Sequence, residues 1–206
     1  MSPSELPGVA KYRAVDRFFR KHLDMQFNDL RTLMKLARPT QGLPAGCNFV
    51  AAAALANLVG GFAEVLYAAP PSMNGSRQSG ERLQAVLKEL YPWQPGERRK
   101  AKAKVLYYFV RNPLVHNLGI DDPRRPKKNM RRIPIRKRRL TDRELVELET
   151  ARTPPAWVGL AVRREGRRWN LYVPALYWGT FHLLRRLTER PKHMRHAQAL
   201  LSHYRF

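Results

Sequence analysis

Apolar residues recur every three or four positions near the start of the chain. Phe19, Leu23, Phe27, Leu30 and Met34 fall on one face and predict an amphipathic helix. Pro39 and the segment 42–46 break it. A second helix is predicted over about 47–67, apolar around most of its circumference and therefore central. Its Gly60-Gly61 pair costs helix stability but admits a close backbone, from a neighbouring helix or a second subunit, with intrachain packing favoured. The segment 70–76 is a loop by composition. A third helix spans about 78–91 with Leu83, Val86, Leu87 and Leu90 on one stripe, and Pro92 ends it. Pro95-Gly96-Glu97 opens a fourth, running through Val105, Leu106, Phe109 and Val110. Four helices joined by short breaks predict an antiparallel bundle.

Further along, the pattern changes. Between Arg124 and Arg139, ten of 16 residues are Lys or Arg and none is acidic. With Pro126 and Pro134 among them, like charges oppose regular structure and predict an extended basic arm. Thr141-Asp142-Arg143-Glu144 has capping-box spacing and starts a short helix to about residue 152. Val158, Leu160 and Val162, then Trp169, Leu171 and Val173 across Glu165-Gly166, alternate with period two and predict a β-hairpin. Pro174 starts a last substantial helix, 175–187, before a basic tail. The expectation is one mainly α domain over 1–206. Its parts are a bundle core (9–120), a basic arm (121–140), and a C-terminal part (141–206) with a short helix, an appended hairpin, a helix and a tail.

Charge changes this picture from fold to partner. The chain has 39 Lys and Arg against 16 Asp and Glu, a net +23. Such a field repels its own copies and attracts phosphates, so a polyanion, RNA before DNA, is the expected partner. The arm supplies +10, and +13 remains elsewhere. The basic surface thus extends beyond one segment. Cys47 is the single cysteine, which excludes an intrachain disulfide and a thiolate metal cluster. The first eight residues have neither a basic start nor an apolar run, so a cytoplasmic protein without a signal peptide is expected. Residues 49–69 carry one charge, Glu64, but are rich in alanine and lack an aromatic and basic border; they read as a core helix, with no membrane role.

Candidate chemistry concentrates in Arg111-Asn112-Pro113-Leu114-Val115-His116-Asn117-Leu118-Gly119. Asn112 and His116, four apart, share a face on a helix, and Arg111 lies about 140° round from His116. Pro113 lacks an N–H and disfavours α geometry at Asn112, so a break or kink is expected there, with Asn112 able to cap a new turn. On spacing alone, a helix restart and a packed or solvated histidine explain these residues better than catalysis does.

The segment also resembles the Arg-x(4–6)-His motif of the HEPN superfamily. Asn stands after the Arg, as in many members, and the segment comes late in a helical bundle behind Tyr107-Tyr108-Phe109-Val110. The resemblance covers residues 107–119 in sequence and roughly 10–120 in architecture. It implies a bundle that forms a homodimer with two motifs facing one another, and a metal-independent endoribonuclease. In that scheme His116 exchanges protons with the 2′-hydroxyl or the leaving oxygen. Arg111 grips the scissile phosphate, and Asn112 donates to it or fixes the imidazole. Two histidines, one from each subunit, would serve as base and acid. Some HEPN toxins carry a modified Tyr two residues after the His, where this chain has Leu118, and other members only bind RNA or protein. The rival reading is therefore a non-catalytic RNA-binding protein such as an RNA chaperone or ribosome-associated factor.

The RNA-binding residues expected on the arm are Arg124, Arg125, Lys127, Lys128, Arg131, Arg132, Arg136, Lys137, Arg138 and Arg139. His193, His196 and His203 have no carboxylate or cysteine nearby and sit among cations, so they read as solvated tail, without a metal. Tyr177, Trp178, Phe181 and His182 read as core before a stacking surface. No phosphate-binding glycine loop, nucleophile elbow or paired carboxylates occur, and no cofactor is implied.

Overall fold

A computed structural model of the chain describes residues 7–36, 47–68, 79–111, 134–136, 138–166 and 168–200. Among them are seven α-helices, one π-helical segment and a three-stranded sheet. Helix α1 (Pro7–Lys35) buries the expected stripe, Phe19, Leu23, Phe27, Leu30 and Met34, extended backwards by Val15. Each such side chain removed from water contributes about 1.5–3 kcal/mol. Helix α2 (Asn48–Leu66) is central. It packs on α1, on α3 (Ser79–Leu90) and, most extensively, on α6 (Val173–Glu189). Helix α3 buries Leu83, Val86, Leu87 and Leu90 as its periodicity predicts. Helix α4 (Arg99–Val105) follows the Pro95-Gly96 turn, where Gly96 takes φ +80. Helix α2 is long and apolar enough to cross a membrane, yet its inner side lies in this core, with Ala51, Ala52, Leu55 and Ala63 inaccessible.

The chain beyond residue 133 departs from the expected appendages. Residues Ile135–Arg136 form strand β1, hydrogen-bonded parallel to β3 (Arg168–Tyr172), which pairs antiparallel with β2 (Val162–Glu165). The hairpin is therefore two strands of a three-stranded sheet ordered β1-β3-β2, and the end of the basic arm is its edge. The Leu171 N–H donates to Pro134 O at 2.9 Å, and the Leu140 N–H donates to Met34 O at 3.0 Å, satisfying a carbonyl at the end of α1. Leu140 itself is fully buried. The described end of the basic arm, 134–136 and 138–140, is thus tied to the sheet and to α1. Helix α5 (Asp142–Thr150) starts on the predicted capping box: Thr141 Oγ1 accepts from Glu144 N, and Glu144 Oε2 accepts from Thr141 N.

Helix α6 is buried around nearly its whole first half, Val173 to Thr180, so the C-terminal part belongs to the core. Gly179 makes room for this packing: a Cβ there would meet the Tyr91 ring at 2.0 Å. Tyr177 is core, as expected, with edge-on Phe27 at 5.4 Å, and Trp178 is buried beside it. Phe181 and His182 are half-buried at the margin.

The expected basic tail is instead helix α7 (Pro191–Leu200), packed on α1, α2 and α6 through His193, Met194 and Ala197. His193 is fully buried. Its Nδ1 accepts from Ala68 N at 3.1 Å, its ring leans on Tyr67 at 5.4 Å, and its Nε2 has no partner. Burial, helped by Lys192 and Arg190 and opposed by Glu89, lowers its imidazole to about 4. Above pH 6.5 neither the folded nor the unfolded chain carries this proton. As pH falls towards 4 the unfolded chain takes it up and the native state does not, so stability is lost through that window. The loss from this residue should be about 2 kcal/mol between pH 7 and 4.5. His193→Asn keeps an acceptor for Ala68 N, so its melting temperature should fall less on acidification. Equal acid sensitivity in the two proteins would contradict the assignment.

Candidate nucleic-acid interface

Nine of the sixteen carboxylates of this chain are engaged in ion pairs within its own structure. Asp16 pairs with Arg20, Glu64 with Arg82, Glu97 with Lys102, Asp142 with Lys35, Glu144 with Arg138, Glu149 with Arg31, Glu165 with Arg163 and Glu189 with Arg185. Glu89 takes Arg190 and Lys192 together. Such pairing does not lower the net charge. It decides which cations are left without a protein counter-ion.

Helix α4 is where they gather. Arg98, Arg99, Lys100 and Lys104 are exposed and have no carboxylate partner among the described residues. Lys102 turns inward to Glu97, whose other oxygen accepts from Gln94 N and so holds the turn that starts the helix. Ala103 and Val105 face the core and anchor the rod against α3. The outer face thus presents four cations within seven residues. The signal for it lies in the run Arg98-Arg99-Lys100-Ala101-Lys102-Ala103-Lys104, a compact basic stretch that precedes the denser one at 124–139. A groove beside it, about 520 Å³, is lined by Arg98, Lys102, Arg164 and Trp169.

The rod does not stop at Val105. It continues as a π-helical segment, Leu106–Arg111. Leu106 and Val110 keep it on the core, and Tyr107 lies against α3 where Gly80 has no side chain; a Cβ there would meet its hydroxyl at 2.1 Å. Tyr108 is half-exposed, edge-on to Tyr107 at 4.9 Å. In the sequence, Pro113 has no N–H for an α-helical bond to the carbonyl four residues back, which weakens the α register at this point. π segments inside helices occur frequently at functional sites. Arg111, the first residue of the Arg-x4-His motif, closes this one. The α4 cations and Arg111 thus belong to one continuous helical rod, Lys104 and Arg111 about 10 Å apart along it.

The Arg111 side chain, Asn112 and His116 lie outside the described residues, as do Arg124, Arg125, Lys127, Lys128, Arg131, Arg132 and Lys137. Of the remaining expected RNA contacts, Arg136 projects from the edge strand and Arg139 is exposed. Arg138 has structural work: it pairs with Glu144 at 2.6 Å and stacks over Trp157 at 4.2 Å. His196 is half-buried, and its Nε2 is without a hydrogen-bond partner. Among the described residues no three His, Cys, Asp or Glu side chains cluster as metal ligands.

Gly60 and Gly61 have nothing within 4 Å of a built Cβ, so the expected intrachain packing against this pair is absent among the described residues. Gly61 borders an open groove of about 500 Å³ between α1 and α2, walled by Phe18, His22, Ala54 and Phe62; Phe49 and Val50 are exposed at the start of α2. Comparison with protein-family models, curated proteins and solved structures finds no match.

Proposed function

We propose that this protein binds RNA through the outer face of α4 and the basic segment after it, and cuts it at the Arg111–His116 motif without a metal. The carrying observation is the run of cations at the start of α4 and along it, without carboxylate partners among the described residues, on a rod that passes through a π segment into Arg111. Phosphates are the natural counter-ions for that face. Half-exposed Tyr108 offers a ring for a base to stack on. The HEPN-type chemistry needs two histidines. A homodimer through the open α1–α2 face, where Gly61 permits close backbone approach, would supply the second.

The binding half of this reading is tested by salt. Affinity for single-stranded RNA should fall steeply as salt rises, by about 0.7 in the log–log slope for each phosphate neutralised. A variant with Arg98, Arg99, Lys100 and Lys104 all changed to Gln should show a slope shallower by about 2–3 and an unchanged melting temperature. An RNA affinity indifferent to salt would remove the polyanion reading. Salt-dependent binding with no cleavage would favour the RNA chaperone or ribosome-associated alternative.

A further inference from the structure

A second cleft opens on the other side of the α4 start, between the turn at 92–97 and the loop at 152–159, with a volume of about 550 Å³. Gln94 Nε2 donates to Gly159 O at 3.2 Å and ties the two walls together. The floor is made of Tyr91, Trp93 and Trp178, all buried. Their polar atoms are already used: Tyr91 donates to Ala175 O, Trp93 to Leu87 O and Trp178 to Ala151 O. The floor is thus held in place and offers a ligand apolar surface only.

Recognition falls to the rim, and the rim is cationic. Arg99, Arg152 and Arg186 line the cleft from three different elements. Arg99 and Arg152 have no carboxylate partner among the described residues, and Arg186 is steadied by donating to Leu90 O at 3.0 Å. Glu89 is the one acidic residue on the described wall, and it is committed to Tyr67, Arg190 and Lys192. Three arginines thus line one cleft whose only described carboxylate is already engaged, so an anion is the ligand charge that the rim complements. Planar forks with a steadied member suit the oxygens of a phosphate group, and the volume suits one nucleotide.

We propose that this cleft is a phosphate-binding site for a nucleotide, delivered either by a bound RNA strand or as a free mononucleotide. The RNA source rests on the function proposed above; the phosphate chemistry rests on the cleft alone. An RNA strand lying along α4 would reach it at Arg99, where the two surfaces meet.

The test uses the full chain and two probes. One is a fluorescein-labelled 2′-O-methyl oligouridylate, which cannot be cut by 2′-hydroxyl attack; the other is AMP, followed by tryptophan fluorescence. Arg152→Gln is compared with Arg17→Gln, which removes the same charge from an exposed position on α1. Thermal melts confirm that both variants fold. If the strand is the source, Arg152→Gln should weaken oligonucleotide binding about tenfold and Arg17→Gln much less. If a free nucleotide is the source, AMP binding should be lost in Arg152→Gln while oligonucleotide binding matches that of Arg17→Gln. AMP binding without any RNA binding would keep the cleft and remove the RNA reading. Equal weakening by the two substitutions, with AMP unbound or bound independently of Arg152, would overturn the cleft proposal and leave general RNA binding standing.

Discussion

His116→Ala is expected to abolish RNA cleavage and leave RNA affinity almost unchanged. The basic surface supplies binding, whereas a positioned imidazole supplies proton transfer worth roughly 10²–10⁴ in rate. Arg111→Ala should also remove cleavage, and Arg111→Lys should not restore it, because an ammonium cannot reproduce the planar fork on a phosphate. Cleavage of labelled RNA under single-turnover conditions, beside binding measured on uncleavable RNA, separates the two effects. Retention of cleavage in His116→Ala would mean that the chemistry lies elsewhere.

The largest expected loss of stability comes from a buried carboxylate. Glu149 on α5 accepts from Arg31 Nε of α1 at 2.7 Å, and from the Tyr177 hydroxyl of α6 at 2.5 Å, joining three elements. Burial together with the neighbouring Glu149 charge pushes the Tyr177 hydroxyl well above its ordinary range, so it stays a donor. Its hydrogen bond to Glu149 likewise raises the Arg31 guanidinium. Glu149→Ala leaves the fully buried Tyr177 hydroxyl without an acceptor and opens a void, while half-exposed Arg31 can return to water. The expected cost is about 3 kcal/mol, or a melting temperature lower by about 6–12 °C. Adding Tyr177→Phe should recover part of the loss, since the orphaned hydroxyl then disappears. A melting temperature for Glu149→Ala within about 2 °C of the parent would show that the pair holds nothing together.

Much of the helical frame was legible because its signal is local. The stripes of α1 and α3 repeat over three or more turns, and Thr141 with Glu144 carries a cap within four residues. What escaped depends on distant partners or on short patterns. Strand β1 is two residues long and exists through its pairing with Leu171 and Tyr172, which nothing around Ile135 announces. Helix α7 hides its core face, His193, Met194 and Ala197, among Lys192, Arg195 and His196, so charge masks a pattern only two turns long. The buried residues of the π segment, Leu106 and Val110, are four apart in sequence, a spacing that also reads as α-helix; only Pro113 in the sequence hints at a looser register. The Arg-x4-His motif was readable as residues, and its geometry lies outside the described part of the chain. The α4 cations were equally readable as a run, but which of them pair with a carboxylate among the described residues is a tertiary fact that needs Glu97 and its neighbours placed.

One incubation decides whether this chain cleaves RNA without a metal. Purified protein is mixed with a defined single-stranded RNA and with the matching DNA, each with and without excess chelator. The account predicts that the RNA is cut equally in both conditions, leaving 2′,3′-cyclic phosphate ends, and that the DNA is bound but intact. RNA left whole in both conditions, or cleavage that disappears with chelator, would contradict it.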